Sequence, residues 1–85
     1  MFLGWYDPDK KTPTRAKVAA AIVRYIEKFN DTPTMLQCNP ADWEQHERER
    51  EQGIGGSQPL NLAVKTVNWI PRSTFYIGIE DQVVP

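Results

Sequence analysis

The sequence is poor in the residues that hold many small proteins together covalently or through metals. It has one cysteine and one histidine among 85 residues, which excludes an internal disulfide and leaves too few ligands for a structural zinc site. The formal net charge is only −1, which argues against nucleic acid or an anionic membrane as a partner bound by bulk electrostatics. No apolar run approaches the roughly 20 residues of a membrane span. The N-terminal residues also lack the basic region of a signal peptide, so we expect a cytoplasmic protein without cofactor or metal.

Apolar residues are 40% of the chain and charged residues 25%, a composition typical of one small globular domain. We predict a single α/β domain over residues 1–80 and a C-terminal tail over 81–85. Alternating or short apolar runs predict strands over the following residues: 1–6, 34–38, 60–69 with a bulge near Thr66, and 74–80.

Two helices are predicted between these strands. Apolar residues from Val18 to Phe29 recur at helical spacing, after a Thr12-Pro13 start signal. Asn39-Pro40 predicts the start of a second helix over 40–51, whose one large apolar residue is Trp43. A helix with one apolar anchor relies on weak charge pairs, so we expect it to fray.

The predicted order is therefore β-α-β-α-β-β, a small two-layer α/β fold with a mixed sheet. Strands connected through helices should be parallel, with right-handed crossovers. The last two strands are separated by a short turn at residues 70–73, and we expect them to form a C-terminal antiparallel hairpin.

No pattern in the sequence predicts a catalytic, cofactor-binding or metal-binding residue. Cys38 precedes a predicted helix N-terminus, where a thiol pKa can fall, but a small buried apolar residue is the simpler interpretation. His46 follows Asp42 by one helical turn, which suits half a metal site, yet we expect a solvated helix face because no second ligand completes it. The glycine-rich residues 53–57 lack the Lys-Ser/Thr of a phosphate loop and predict a connector.

A winged helix-turn-helix protein that binds DNA is the alternative interpretation of the same order. Residues 34–38 would then be the second helix, 41–51 the recognition helix and 60–79 the wing. The predicted recognition helix carries five acidic residues and two arginines, and such a surface repels phosphates. The charge pattern therefore favours an interaction module over a DNA-binding protein.

Aromatic residues are the strongest functional signal, since the chain holds three tryptophans and three tyrosines. Neighbouring strand residues point to opposite faces, so Trp5 and Tyr6 cannot both face the first helix, and neither can Phe75 and Tyr76. An incompletely covered aromatic face is typical of an interface. We therefore expect a small non-catalytic accessory module that binds a protein partner or self-associates as a homodimer, through this face or through an edge strand of the terminal hairpin. The candidate contact residues are Trp43, His46, Trp69 and Tyr76.

Several segments resemble small uncharacterised bacterial proteins of unknown function. They are the start Trp5-Tyr6-Asp7, the helix end at residues 25–29, the step Thr32-Pro33-Thr34 and the closing residues 71–78. The resemblance spans most of the chain. It implies no activity, substrate or site residue.

Overall fold

The computed structural model describes residues 2–55 and 61–79. Six elements follow one another: β1 (Phe2–Tyr6), α1 (Thr14–Phe29), β2 (Met35–Cys38), α2 (Pro40–Glu51), β3 (Ala63–Thr66) and β4 (Thr74–Gly78). The α/β class and the predicted order are confirmed. The predicted tail at 81–85 and part of the glycine-rich connector lie outside the described residues. Neither described helix is long and apolar enough to cross a membrane.

Local sequence signals explain where both helices begin and end. Helix α1 follows Pro13 and closes at Asn30, whose φ of 53° is left-handed and whose N–H donates to the Ile26 carbonyl. Helix α2 begins after Asn39, whose side chain accepts a hydrogen bond from the Ala41 N–H. Beyond its end, Gly53 has a φ of 74°, a conformation that glycine adopts without strain.

The strand order in the sheet is β1-β4-β2-β3. Strand β4 is antiparallel to both neighbours, whereas β2 and β3 are parallel. The predicted antiparallel hairpin of the last two strands is therefore wrong, because β3 and β4 are not adjacent. The physical reason is burial. Phe75 and Ile77 of β4 are almost inaccessible to solvent, whereas three of the four β3 residues are exposed, so β4 takes a central position and β3 an edge.

The predicted third strand was also too long. Strand β3 stops at Thr66, and the chain turns away there, with the Val67 N–H donating to Cys38 and the Ile70 N–H donating to Val67. Trp69 consequently lies in the connection to β4 and not in the sheet. Residues 35–38 form a strand paired on both sides, so the winged helix-turn-helix alternative is wrong as a description of the fold.

Both helices cover the same face of the sheet. The registers align two rows of residues on that face, one crossing Leu3, Ile77, Leu36 and Val64 and one crossing Trp5, Phe75 and Cys38. All of these belong to, or pack against, the core cluster that includes Val18, Ala21 and Tyr25 of α1. The opposite face carries Tyr6 and Tyr76, which confirms that neighbouring aromatic residues in β1 and β4 point to different sides.

Candidate functional site

The face of α2 that packs against the protein is polar. Asp42, His46 and Glu49 follow the i, i+4, i+7 spacing of one helix face and are only 3%, 3% and 4% exposed. The predicted solvated face is therefore wrong at His46, and α2 does not depend on Trp43 alone. Instead, its carboxylates reach backbone donors in distant segments of the chain.

Asp42 holds the turn that leads into β4. One carboxylate oxygen accepts from Arg72 Nε at 2.9 Å and the other from the Ser73 N–H at 2.8 Å. Ser73 has a φ of 66°, a left-handed conformation that costs free energy for a residue with a Cβ. The hydrogen bond that the Ser73 N–H donates to the buried Asp42 carboxylate offsets this cost and fixes the entry to the central strand.

The Glu49 side chain, from α2, caps the N-terminus of α1. Its carboxylate accepts from the backbone N–H groups of Thr14 at 3.0 Å and Arg15 at 2.8 Å, and from Gln45 Nε2 at 3.0 Å. Helix α1 has no acidic residue in its first turn and no side-chain cap of its own. Glu49 therefore supplies both the acceptor and the negative charge that a helix N-terminus favours. Burial disfavours its ionisation, but these hydrogen bonds outweigh burial and hold the pKa of Glu49 below its ordinary value.

His46 is a packing residue in this structure. Its ring stacks on Trp43 with the ring centroids 4.6 Å apart, and its buried Nδ1 has no hydrogen-bond partner among the residues that the structure describes. Burial is the main cause that lowers its pKa, so the imidazole is neutral at pH 7. No group of three metal-ligating side chains occurs in residues 2–55 and 61–79.

Cys38 is placed as the sequence indicates for a small buried apolar residue. It is almost inaccessible to solvent at the end of β2. Burial, with a further contribution from the Asp42 charge, raises the pKa of the Cys38 thiol to about 12. A nucleophilic cysteine needs the opposite shift, and this environment works against thiolate chemistry.

We expect Cys38 to alkylate at least about 1,000-fold more slowly in the native protein than in the urea-unfolded protein at pH 8. The expected ratio follows from the thiolate fraction, which falls about tenfold for each unit by which the pKa exceeds an ordinary value near 8.5. Iodoacetamide labelling followed by mass spectrometry measures both rates. Similar native and unfolded rates would show that Cys38 is an accessible thiol with an ordinary pKa, and a faster native rate would show that it is activated.

The structure does not gather the four predicted contact residues into one surface. Trp43 and His46 pack toward the helix side of the sheet, and His46 is buried. Tyr76 lies on the opposite face, where its ring covers Gly4, so that a Cβ on Gly4 would stand 3.2 Å from Tyr76 Cε1. Trp69 is 76% exposed in the connection between β3 and β4.

Strand β1 presents a surface that the sequence analysis did not single out. It hydrogen-bonds to β4 on one side, and no other described strand pairs with it. Phe2 and Tyr6 are exposed on the helix-free face at its two ends, with Tyr6 66% exposed. Trp5 and Leu3 pack on the other face against the core.

The chain matches no family model, no curated protein and no solved structure.

Proposed function

We propose that the protein is a non-catalytic interaction module that pairs with a second copy of itself through the free edge of β1. The observation that carries the proposal is an uncharged, proline-free edge strand, Phe-Leu-Gly-Trp-Tyr, with its outer side unpaired among the described residues. Edge strands of monomeric proteins are usually protected by charged residues, proline or bulges. Strand β1 has none of these protections.

The backbone of β1 fits a two-fold partner. The Asp7 N–H donates to the Ser73 carbonyl across the β1–β4 pair. Because hydrogen bonding alternates along an antiparallel pair, Leu3 and Trp5 also face β4. The N–H and C=O groups of Phe2, Gly4 and Tyr6 therefore point outward. A two-fold axis at Gly4 matches these groups with those of the second copy.

The same register pairs complementary side chains. Phe2 of one copy lies opposite Tyr6 of the other, Leu3 lies opposite Trp5, and Gly4 lies opposite Gly4. Aromatic and aliphatic cross-strand pairs of this kind each stabilise by roughly 0.2–1 kcal/mol. The two-fold symmetry repeats both unlike pairs, so the contact is self-complementary.

The helix layer suits this arrangement too. Helix α1 packs over β1 and β4, so continuing the sheet across a two-fold at β1 places the two copies of α1 as neighbours on the same face of the continued sheet. On that flank α1 exposes Ala19, Ala20 and Val23, which line a shallow groove of about 370 Å³ beside Trp5. Small residues there leave room for a neighbouring helix.

The helix-free sheet face alone is a weaker interface. Four strands about 4.8 Å apart and about five residues long cover roughly 300 Å², well below the roughly 800 Å² per partner of a standard stable interface. Pairing at β1 adds backbone hydrogen bonds and helix contacts to that area. The edge is therefore the better-supported mode.

We expect Tyr6→Lys to weaken self-association at least about tenfold, because it removes both symmetric aromatic pairs and places a charge on the edge. Phe2→Glu should have a similar effect. An equimolar mixture of these two variants should recover dimers, since the proposed register puts the two new charges opposite each other at one end of the strand pair. Sedimentation velocity over a concentration series measures all three.

Trp69→Lys is the matched control, because it also replaces an exposed aromatic residue with lysine but lies far from β1 in the sequence and outside the sheet. It should leave the dimer unchanged. A wild-type protein that stays monomeric at 1 mM would contradict the proposal, because 1 mM is roughly the dissociation constant of the weakest specific complexes. Loss of dimers in the Trp69 variant alone would instead assign the interface to the β3–β4 connection.

A further inference from the structure

An open cleft of about 750 Å³ lies where three chain segments meet at one end of the sheet. The first segment runs from the end of β1 through the first turn of α1, the second is the buried-face side of α2 with the residues just after it, and the third is the turn before β4. Strands β1 and β2 run parallel with β4 between them, so their carboxyl ends share this end of the sheet. Ligand sites in α/β proteins concentrate at this position, and the volume is within the usual range for small-molecule sites.

Lysine side chains give the cleft its charge. The charged residues that line it are Lys10, Lys11, Lys17, Arg72, Asp42 and Glu49, which gives the lining a net charge of +2. The whole chain has a net charge of −1, so positive charge is concentrated here. The two carboxylates already accept hydrogen bonds from within the protein, Asp42 from Ser73 and Glu49 from Thr14.

Lys17 is the residue that points to a ligand. It is only 6% exposed, yet it lines the cleft. Its Nζ forms no hydrogen bond or ion pair with any described residue. Hydrogen bonds from the Lys11 N–H and the Thr12 hydroxyl are the main causes that lower the pKa of Asp9, and the Lys17 charge contributes least. The Asp9 oxygens are therefore already occupied by these two donors. The buried stem therefore holds an ammonium group without a protein partner at the surface of the cleft, where an anion can reach it.

The two other lysines of the cleft, Lys10 and Lys11, belong to a loop that is held by local hydrogen bonds. Asp7 accepts from the Asp9 N–H at 3.0 Å, and Asp9 accepts from the Lys11 N–H at 2.9 Å. These local bonds fix the backbone that carries Lys10 and Lys11 at the cleft. A ligand therefore meets cations whose backbone is already positioned, which reduces the entropy lost on binding.

We propose that this cleft binds a small phosphate ester, with the phosphate at Lys17 and the organic part against the apolar wall. Several cations around one cleft suit a multiply charged anion better than a carboxylate. The apolar wall is formed by Tyr6, Pro8, Pro13 and Ile54. The exposed Tyr6 ring offers a stacking surface for a planar group. None of the charged residues that line the cleft lies in β1, so the proposed ligand site is distinct from the proposed β1 pairing surface, although Tyr6 borders both.

Titration of the ¹⁵N-labelled protein with AMP, adenosine and inorganic phosphate tests this assignment. We expect AMP to shift the amide signals of Lys11, Lys17 and Ser73, with phosphate binding at least tenfold more weakly and adenosine not binding at 10 mM. Lys17→Met keeps the buried stem but removes the charge, and should weaken AMP binding at least tenfold. Lys65→Met, in β3 outside the cleft, is the matched control and should bind AMP as the wild type does.

The outcomes separate the alternatives. Equal affinity for phosphate and AMP would restrict the site to the free ion and overturn the ester assignment. Adenosine binding as tightly as AMP, or no AMP binding at 10 mM, would overturn the phosphate site altogether. If Lys17→Met unfolds, the double variant Lys10→Gln/Lys11→Gln changes exposed side chains and should still lower AMP affinity at least threefold. Unchanged affinity in that double variant would likewise contradict the proposal.

Discussion

Replacing Asp42 with alanine is expected to lower the free energy of unfolding by about 2–3 kcal/mol, of which about 1.5–2 kcal/mol comes from the charge-assisted hydrogen bond to the Ser73 N–H and at most about 1 kcal/mol from the pair with the exposed Arg72. The change leaves the Ser73 N–H without its acceptor and frees Arg72. It also withdraws the contact that holds Ser73 in its left-handed conformation. For a chain of 85 residues, the total stability is expected to be about 4–13 kcal/mol, so the loss is a large fraction of it. Urea unfolding followed by circular dichroism measures the difference.

Arg72→Gln is the matched control for the same contact. The Arg72 side chain is 62% exposed, and an ion pair with one exposed partner contributes at most about 1 kcal/mol. We therefore expect the arginine variant to lose much less stability than the aspartate variant. Equal losses in the two variants would show that the ion pair, and not the bond to the Ser73 backbone, anchors the turn.

Replacing Glu49 with alanine is expected to destabilise the protein by about 2–4 kcal/mol, because two buried backbone donors lose their acceptor. Thr14 and Arg15 are both at the N-terminus of α1, and this helix has no cap of its own. Glu49→Gln keeps an oxygen acceptor and should lose less, about half as much by the ratio of neutral to charged hydrogen bonds. Urea unfolding at pH 7 measures both variants.

The pH dependence gives an independent check on Glu49. The pKa of Glu49 in the folded state lies below its value in the unfolded state. Ionised Glu49 therefore makes its full contribution to the free energy of unfolding above about pH 4.3, the ordinary glutamate pKa. This stabilisation is lost as the pH falls through the folded-state pKa. His46 also has a lowered pKa, and its contribution declines at a higher pH, below about 6.5. Glu49→Gln should therefore flatten the stability profile below about pH 4.3 and leave the slope between about pH 5 and 6.5 intact. An unchanged acid limb in this variant would contradict the role given to Glu49.

Helix α1 could be predicted well from the sequence because its signals are local. Its apolar residues share one face, and Asn30 ends it in the conformation that this residue tolerates. Helix α2 was predicted over the same residues, 40–51, but the contacts that attach it to the rest of the protein were not predicted. The donors that hold it belong to Thr14, Arg15 and Ser73, which are backbone groups that no local pattern connects to α2. The spacing of Asp42, His46 and Glu49 was the signal that could have indicated a buried polar face.

The order of the strands could not be derived from their order in the chain. A short turn with Pro71 suggested a hairpin, yet the choice between centre and edge depends on which strand is more deeply buried. The five residues of β4 are all half-buried or buried, whereas Ala63, Lys65 and Thr66 of β3 are exposed. Among the described strands, β1 is at an edge because of that order, and for this reason the proposed pairing surface could not be identified from the sequence.

The attachment of α2 also has a consequence for how the molecule opens. Glu49 is linked to donors 34 and 35 positions away in the chain, and Asp42 to one 31 positions away. Detaching α2 therefore exposes the first amides of α1 and the amide that precedes β4 in the same event. These three amides should exchange with deuterium at a common rate that follows the opening of α2. The helix with the fewest apolar residues thus joins separate parts of the chain into one cooperative unfolding unit.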